Sequence, residues 1–350
     1  MMTLRMFASK PPAVPMSAIW HLADLAEAKG KQELYTRQSP QMLKALREHA
    51  MIESAVSSNR IEGVNIDPAR ARAVIFGKTA LRDRDEEEVS GYRDALKLIH
   101  ESSPPLPINE ESILQLHRLS RGQIRDAGQY KEKDVDIIET FPGGGSRVRF
   151  KTLPARQTPA AMQELILMWN DMADQRTIHP LVALGAFNLD FLCIHPFRDG
   201  NGRVSRLLLL LGCYHLGLEV GRYISLERLI EQNKDRYYET LQESSRDWHA
   251  GKHNPWPYIN YTLFILQSAY REFQDRVGEV KSPRGSKTEV VMSAIGRAGS
   301  PFRVADIQRL CPGVSVDWIR QILKDLRSDG KVECLGRGQH AQWRRRGDWN

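Results

Sequence analysis

The chain has 350 residues, of which 41% are hydrophobic and 27% are charged, and its formal net charge is +7. This composition is typical of globular proteins, so it excludes a wholly disordered chain, and the length predicts two or three domains. No apolar run reaches the ~18 residues of a membrane span, and the N-terminus lacks a signal-peptide pattern. We therefore expect no membrane partner.

The cysteines and the charge distribution add two expectations. The four cysteines are scattered, at Cys193, Cys213, Cys311 and Cys334. This spacing argues against a zinc site and a disulfide framework, and it predicts a cytoplasmic protein. From residue 284 to 350 there are thirteen Lys and Arg against seven Asp and Glu, so the basic character lies mainly at the C-terminus.

The first 88 residues predict mainly helices. Three prolines make residues 1–15 an extended segment, and a helix over Ser17–Lys29 is expected to end at Gly30. A second helix begins at a proline and covers residues 40–60. The highly charged run 83–88 predicts a solvated surface connection.

The middle of the chain predicts helices interrupted by one hairpin. Helical patterns cover residues 87–99, begin again at Asn109, and recur over residues 159–174. Between them, strand-forming residues flank a glycine-rich tip within residues 135–150, which predicts a β-hairpin. The glycine triplet at that tip has neither a Walker lysine nor a following helix, so it does not predict a phosphate-binding loop. A nearly all-apolar, buried helix over residues 181–192 then leads directly to His195.

The run HPFRDGNGRVSR, from His195 to Arg206, combines residue types that suit the transfer of a phosphate-containing group. Its Asp-Gly-Asn-Gly turn ends one helix and begins the next near residues 200–202, where free amides form an anion site. Arg203 and Arg206 share a helix face and can bind phosphate oxygens. Asp199 supplies an oxygen ligand suited to Mg²⁺, and the histidine can accept a proton from an attacking hydroxyl. The pattern predicts nucleotidyl or phosphoryl transfer.

This run resembles the Fic-family signature HPFx[DE]GNGRxxR at every defined position. The resemblance implies a mainly α fold, with a Fic-type helical core and an inserted β-hairpin flap. It also implies transfer of AMP from ATP to a Ser, Thr or Tyr hydroxyl of a target protein, this chain included. His195 would be the general base and Asp199 would hold Mg²⁺. The nucleotide would be bound by Gly200, Gly202, Asn201 through a phosphate hydrogen bond, and Arg203 and Arg206 on the outer phosphates.

A second segment, Ser58-x-x-x-Glu62-Gly63, is similar to the inhibitory motif [ST]xxxE[GN] that many Fic proteins carry before their core. Taken alone, Glu62 and Gly63 would be a solvated helix end. Beside the signature, the resemblance implies that Glu62 pairs with Arg206 and competes for the guanidinium that would hold the ATP γ-phosphate. ATP would still enter, but in a pose unfit for in-line attack. We therefore predict an autoinhibited enzyme.

Two further parts of the site follow from the resemblance. In Fic proteins a hairpin at the position of residues 135–150 lies over the active site and docks the target segment by strand addition. Tyr237 and Tyr238, in a helix expected over residues 226–243, are similar to tyrosines that lie beside the adenine base. An aromatic pair at this spacing is more often core packing, and both interpretations stay open.

The C-terminal residues predict three helices followed by two short strands, which resembles a winged helix-turn-helix domain. Its positive surplus favours nucleic-acid binding through phosphates, although a protein-docking or dimerising role is equally compatible with the fold. We expect four regions. They are an N-terminal helical region with the inhibitory helix (1–84), a Fic catalytic core (85–275), a linker (276–286) and the winged helix (287–350).

Two alternative functions stay open at this point. One is a DNA-binding regulator whose Fic core senses a nucleotide without turning it over. The other is a Fic enzyme that removes AMP from its target or transfers a different phosphate-containing group. The sequence predicts neither the target protein nor the oligomeric state, so a homodimer is left open.

Overall fold

The structure, a computed structural model, describes residues 2–36, 40–122, 124–140, 144–175, 177–280, 286–311, 314–336 and 341–346. The chain forms two compact units, which are Met1–Gln274, here called the core unit, and Asp275–Asn350, here called the C-terminal unit. The mainly α fold that the sequence predicts is confirmed. Across the described ranges, every helix is too short or too polar to cross a bilayer.

The helices of the core unit are, in chain order, α1 (Thr3–Ser9), α2 (Met16–Thr36), α3 (Pro40–Ile61), α4 (Pro68–Ile75), α5 (Arg84–Glu101), α6 (Glu110–Arg121), α7 (Thr158–Gln175), α8 (Pro180–Ile194), α9 (Asn201–His215), α10 (Leu226–Gln232), α11 (Lys234–Ser245) and α12 (Trp256–Val280), which continues past the boundary of this unit. Strands β1 (Ile137–Thr140) and β2 (Ser146–Phe150) form an antiparallel hairpin in which Ile138 lies opposite Val148. The predicted glycine-rich tip falls partly on residues 141–143, which lie outside the described residues.

Helix α8 is the centre of the core unit. Every residue from Leu181 to Ile194 is buried, and α7 and α9 pack against it. One polar side chain inside it is satisfied by partners from α9 and α12. Asn188 donates to the Ser205 carbonyl at 2.7 Å and accepts from the Tyr258 hydroxyl at 2.7 Å. A fully buried α8 fixes the position at which the chain enters the loop to α9.

Two predictions for the N-terminus are wrong. Residues 3–9 form a helix instead of an extended segment, because the buried Asp190 carboxylate accepts the amides of Thr3 and Leu4. This carboxylate satisfies donors that the first turn of a helix leaves free. Helix α2 passes through Gly30 and continues to Thr36, and the Lys29 ammonium donates to the Leu216 carbonyl at 2.7 Å beside the added turns.

Three other boundaries differ from the prediction. The helix expected over residues 226–243 is divided at Asn233 into α10 and α11, and the Asn233 side chain donates to the Leu229 carbonyl. The charged run 83–88 is not a solvated connection, because Glu86 and Glu88 are only 3% and 4% exposed. Residues 276–280 of the expected linker are helical, since α12 runs to Val280.

The C-terminal unit contains α13 (Ser286–Arg297), β3 (Phe302–Arg303), α14 (Val304–Leu310), α15 (Val316–Ser328), β4 (Val332–Leu335) and β5 (Gln342–Arg345). Its antiparallel sheet has the order β3-β5-β4, and the two-residue strand β3 was not expected from the sequence. Buried side chains from all three helices form one core, including Ile295, Ile307 and Leu323. Three helices with this sheet have the element order expected of a winged helix-turn-helix domain.

Candidate active site

The loop between α8 and α9 holds its shape through two unusual backbone positions. His195 directly follows α8 and has a left-handed conformation (φ 53°, ψ 63°), which is uncommon for a residue other than glycine. Gly200, which precedes α9, has φ +86°, and a Cβ atom there would lie 2.9 Å from Arg121 Cδ. Glycine at position 200 therefore permits both the turn and the close packing.

Asn201 closes the loop from inside. Its Oδ1 accepts the Phe197 amide at 2.9 Å, its Nδ2 donates to the Phe197 carbonyl at 2.8 Å, and the residue is 2% exposed. The side chain for which the sequence predicts a phosphate contact is thus occupied within the loop. Its backbone amide lies in the first turn of α9, where amides have no helical acceptor and are available to an anion.

His117 packs against the loop. Its ring stacks on Phe197 with centroids 3.7 Å apart, and its Nδ1 accepts the Gly128 amide at 2.9 Å. The other ring nitrogen, Nε2, therefore carries the proton and donates to the Asp199 carbonyl at 3.0 Å. Burial lowers the pKa of His117 to about 4, so it is neutral at physiological pH.

A cavity of about 350 Å³ lies above this loop. The residues that line it come from the turn after α3, the β1–β2 hairpin, the end of α8 and the loop that follows it, the first turn of α9, and α11; they are Glu62, Ile137, Ile138, Arg149, Phe150, Leu192, Cys193, His195, Gly202, Tyr237, Tyr238, Leu241, Gln242 and Ser245. The cavity thus has polar side chains at one end and an apolar wall, which is the composition of many small-molecule sites.

His195 is neutral at physiological pH. Burial, followed by the positive charge of Lys131, lowers the pKa of His195 to about 4, against the opposing influence of the Leu192 carbonyl and then of Glu62 and Asp199. Its Nδ1 is buried and has no hydrogen-bond partner among the described residues. A neutral imidazole can accept a proton, which is the property required of a general base.

Glu62 lies against Arg206. The Arg206 Nη2 atom donates to Glu62 Oε1 at 2.8 Å and to the Ser58 carbonyl at 2.9 Å, and its Nε donates to the Ser58 hydroxyl at 2.9 Å. Burial alone would lower the pKa of Arg206, but the Glu62 carboxylate outweighs it and raises the pKa. A Cβ atom on Gly202 would lie 2.3 Å from Glu62 Oε1, so this approach requires glycine there. Gly63, with φ +86°, ends the helix that presents the glutamate.

Arg203 is buried and forms its polar contacts inside the protein. Its guanidinium is 1% exposed, pairs with the buried carboxylate of Glu88, and donates to Asn59 Oδ1 at 3.2 Å. The same carboxylate accepts from Arg121 at 2.9 Å. Arg203 therefore ties α9 to α5 and α3, and it is not among the residues that line the cavity.

Asp199 is the only predicted metal ligand, and its side chain is 60% exposed. Partial burial would raise its pKa, but Arg121 at 3.0 Å and Arg203 at 3.9 Å hold it below its usual range. In the part of the chain that the structure describes, no group of three or more His, Cys, Asp or Glu side chains could hold a metal. One carboxylate could hold a Mg²⁺ ion only together with substrate phosphates, so this role of Asp199 stays a prediction.

Residues 107–212 match the family model described as Fic/DOC family. This region, which contains the run from His195 to Arg206, is a Fic domain. The chain is 27% identical over 175 residues to "Protein adenylyltransferase Fic" of Nematostella vectensis, a match that covers 48% of this chain and 38% of that protein. With the protein of the same name from Drosophila melanogaster the identity is 25% over 173 residues, covering 48% of this chain and 33% of that protein.

Solved structures show the same fold. A Fic family protein from Desulfovibrio desulfuricans G20 superposes with a TM-score of 0.62 at 23% identity, over 97% of this chain and 98% of that chain. Fic-1 from C. elegans (residues 134–508) superposes with a TM-score of 0.59 at 20% identity, over 77% of this chain and 75% of that chain.

The Fic signature thus divides into two sets of residues. His195 and Gly202 line the cavity, together with Glu62, whereas Asp199, Gly200, Asn201, Arg203 and Arg206 lie outside its wall. The second set holds the loop, pairs with acidic residues, or presents backbone amides. The predicted phosphate contacts of these residues stay predictions.

Tyr237 and Tyr238 differ in exposure. Tyr237 is 3% exposed and packs against Tyr258 and Tyr261, at centroid distances of 6.1 and 5.8 Å. Tyr238 is less buried, and the Arg149 guanidinium lies 5.4 Å from its ring centroid while donating to its carbonyl at 2.8 Å. Arg149 therefore ties the β1–β2 hairpin to α11.

Sequence reasoning missed Glu88, Arg121, Lys131 and Arg149, which surround the cavity or the loop between α8 and α9. Of these, Glu88 had one available signal. It begins the apolar face of α5, since Val89, Tyr92 and Leu96 follow it in helical spacing and are buried. The other three carry no local pattern that separates them from surface cations.

Proposed function

We propose that this protein transfers AMP from ATP to a hydroxyl of a target protein, itself included, and that Glu62 holds the reaction off by pairing with Arg206. The observation that carries the proposal is the wall of one cavity. There a neutral His195, the first turn of α9 at Gly202 and the carboxylate of Glu62 meet. The names of the relatives agree with this activity, although the chain spans less than two fifths of their length.

The proposed reaction transfers one proton and exchanges one phosphorus–oxygen bond for another. His195 accepts the proton of a Ser, Thr or Tyr hydroxyl, and the hydroxyl oxygen forms a bond to the α-phosphorus of ATP as the bond to pyrophosphate breaks. Amides of the first turn of α9 stabilise the negative charge on the phosphate oxygens. Mg²⁺, held by Asp199 and the phosphates, would neutralise further charge when it is bound.

Two exposed side chains support the hairpin as the place where the target docks. Ile138 and Val148 are paired across β1 and β2, and they are 59% and 50% exposed. Ile138 also lines the cavity, so a segment added beside the hairpin would run towards His195. Strand addition uses backbone hydrogen bonds, with apolar side chains contributing specificity.

The inhibition has a direct physical cause. Glu62 occupies the Arg206 guanidinium, which would otherwise be available for the outer phosphates of ATP. A nucleotide bound beside Glu62 would meet a carboxylate where its own negative charge has to lie. Its phosphates would therefore settle in a pose unfit for in-line attack.

The test is intact-mass analysis of Glu62→Gly after incubation with ATP and Mg²⁺. We expect the added mass of AMP on the chain, little of it on the wild type, and none on Glu62→Gly combined with His195→Ala, because loss of a general base typically costs about 10²–10⁴ in rate. Glu62→Gln, which keeps the size but removes the charge, should fall between the wild type and Glu62→Gly.

Other outcomes would favour the alternatives. A different added mass would identify another transferred group, and ATP binding without any added mass would favour a nucleotide sensor. Removal of AMP is tested separately, by adding wild-type protein to the modified chain. Release of AMP by the wild type, but not by the Glu62 variants, would assign Glu62 to that reaction.

A second candidate function, DNA binding, is favoured by one surface. Arg320, Lys324 and Arg327 are exposed at helical spacing along α15, whose opposite face is buried. We propose that this face binds DNA phosphates in the manner of the second helix of a helix-turn-helix. Replacing all three by Glu in the full chain should abolish a gel shift that weakens with salt. A wild-type chain that gives no shift at low salt would instead favour a protein partner.

A further inference from the structure

His195 has a backbone conformation that its own sequence does not favour. A left-handed histidine persists only where the surrounding structure holds it in place. Its amide donates to the Phe191 carbonyl at 3.0 Å, which fixes the start of the turn. The carbonyls immediately before and after it, those of Ile194 and Pro196, therefore require their own partners.

Lys131 provides both partners. Its Nζ donates to the Ile194 carbonyl at 3.2 Å, and its backbone amide donates to the Pro196 carbonyl at 2.9 Å. The side chain is buried, at 5% exposed. Because Ile194 is the last residue of α8, its carbonyl has no helical donor, and a cation at that end of a helix is favourable.

The same ammonium reaches the base of the hairpin. Lys131 Nζ donates to the Thr152 hydroxyl at 2.8 Å, and that hydroxyl donates to the Val135 carbonyl at 2.5 Å. Val135 precedes β1 and Thr152 follows β2, so both segments flanking the hairpin meet at one lysine. A single side chain thus joins the loop that holds His195 to the element along which we propose the target docks.

We propose that Lys131 is a positioning residue for the transfer reaction, fixing the backbone on both sides of His195 and holding it against the base of the β1–β2 hairpin. This inference rests on the proposed function. Lys131 is not among the residues that line the cavity, so it acts through His195 and the hairpin and not on the nucleotide.

The charge of Lys131 also acts on the histidine. Burial lowers the pKa of Lys131 to about 8, so it is still mostly protonated at pH 7. The charged groups that bear on the His195 ring are Lys131, which lowers its pKa, and Glu62 and Asp199, which raise it. Removing the lysine charge should therefore raise the pKa of His195.

The kinetic test compares Lys131→Met with Lys133→Met, both in the Glu62→Gly background. Lys133 is an exposed lysine of the same segment, which makes it a matched control. We expect Lys131→Met to lower kcat by about 10- to 100-fold, because small misplacements of a reacting group have effects of that size. KM for ATP should change by less than about 3-fold, since the cavity wall is intact. Equal kcat values for the two variants would overturn the proposal.

A second measurement does not depend on transfer. In histidine-labelled Glu62→Gly protein, NMR titration should show the pKa of His195 about one unit higher in Lys131→Met than in Lys133→Met. Equal pKa values of His195 in the two variants would contradict the inference, even in a chain that transfers no AMP. The absence of AMP transfer would instead contradict the proposed function. Should Lys131→Met fail to fold, Thr152→Val removes only the distal hydroxyl and should lower kcat by about 2- to 10-fold, the effect of losing one hydrogen bond. An unchanged kcat would again count against the proposal.

Discussion

At the scale of single residues, the loop that carries His195 depends on contacts made elsewhere in the chain. Asn201 and Phe197 close the loop on itself, but His117 and Lys131 hold it from an earlier part of the sequence. Asn201, His117 and Lys131 are buried, and the side chain of each makes hydrogen bonds to backbone groups in or next to the loop. The loop is therefore already formed before any nucleotide binds, and this preorganisation favours catalysis.

The lowered pKa of His195 gives a direct prediction for the pH dependence. With a pKa of about 4 the imidazole is neutral at and above pH 5, so its protonation should not reduce kcat/KM between pH 8 and pH 5. The measurement is AMP incorporation by Glu62→Gly over this range, with ATP below its KM. An acidic limb centred near 6.5, the value of an unperturbed histidine, would show that the environment of His195 differs from the one described.

The residue scale also shows where sequence reasoning was sufficient. The signature placed His195 and Gly202 on the same cavity because both lie at helix ends joined by a short loop, which is local geometry. It could not place Glu88 or Lys131, whose partners are far away in sequence and are brought together only by packing. Nor could the signature show that Arg203 forms a buried ion pair with Glu88, because a single sequence gives no measure of burial for a charged pair.

At the scale of elements, helix α3, which we propose to be inhibitory, is held at its C-terminus by α10 and α11. Lys234, the first residue of α11, donates to the Ile61 carbonyl at 2.9 Å, and Arg60 pairs with Glu231 of α10 at 3.0 Å. A cation at the end of a helix satisfies a free carbonyl and interacts well with the helix dipole. The position of Glu62 is thus tied to α10 and α11.

We predict that Lys234→Met partly relieves the inhibition. Without the bond to Ile61 the last turn of α3 should fray more easily, so Glu62 spends less time on Arg206. Basal AMP incorporation should rise by about 2- to 10-fold, corresponding to the loss of one hydrogen bond to a charged group. Lys44→Met, at an exposed position of the same helix, is the matched control. A rate no higher than that of this control would show that α3 is held firmly without Lys234.

Element boundaries were predicted well where the cause is local and poorly where it is tertiary. Asp83 and Asn109 cap α5 and α6 through their own side chains, and both helices begin within three residues of the prediction. Helix α1 was missed because its first turn is satisfied by Asp190, which lies 187 residues away from Thr3. The break at Asn233 was also missed, because an asparagine within a helical pattern carries only a weak signal.

At the scale of the whole molecule, the proposed inhibitory glutamate and the cavity that it lines belong to one compact unit. Residues 1–84 were expected to form a separate region, yet α3 packs against α5, α9 and α10 within the core unit. Relief of the proposed inhibition would therefore require a local change at the end of α3, and not the departure of a domain. The proposed regulation is thus tied to the stability of the core unit.

Buried histidines should make the core unit sensitive to acid. Burial lowers the pKa of His100 to about 3 and those of His117, His195 and His253 to about 4. Because these values lie below the unfolded value of about 6.5, the unfolded chain binds more protons as the pH falls. The contribution of these histidines to the free energy of unfolding is then fully present above pH 7, and it is lost progressively towards pH 4. Asp190, whose pKa burial raises to about 6, acts in the opposite direction and offsets one of the four.

We therefore expect the free energy of unfolding of the core unit to fall between pH 7 and pH 5, by on the order of 1–2 kcal/mol for each such histidine. Urea denaturation followed by near-UV circular dichroism measures this change. His253, which is 5% exposed and shares a 2.8 Å hydrogen bond with Thr3, has no role in the proposed chemistry. His253→Gln should reduce the pH dependence, whereas His49→Gln, at an exposed position, should leave it unchanged. Equal stability at the two pH values in the wild type would mean that the buried histidines take up protons without unfolding the unit.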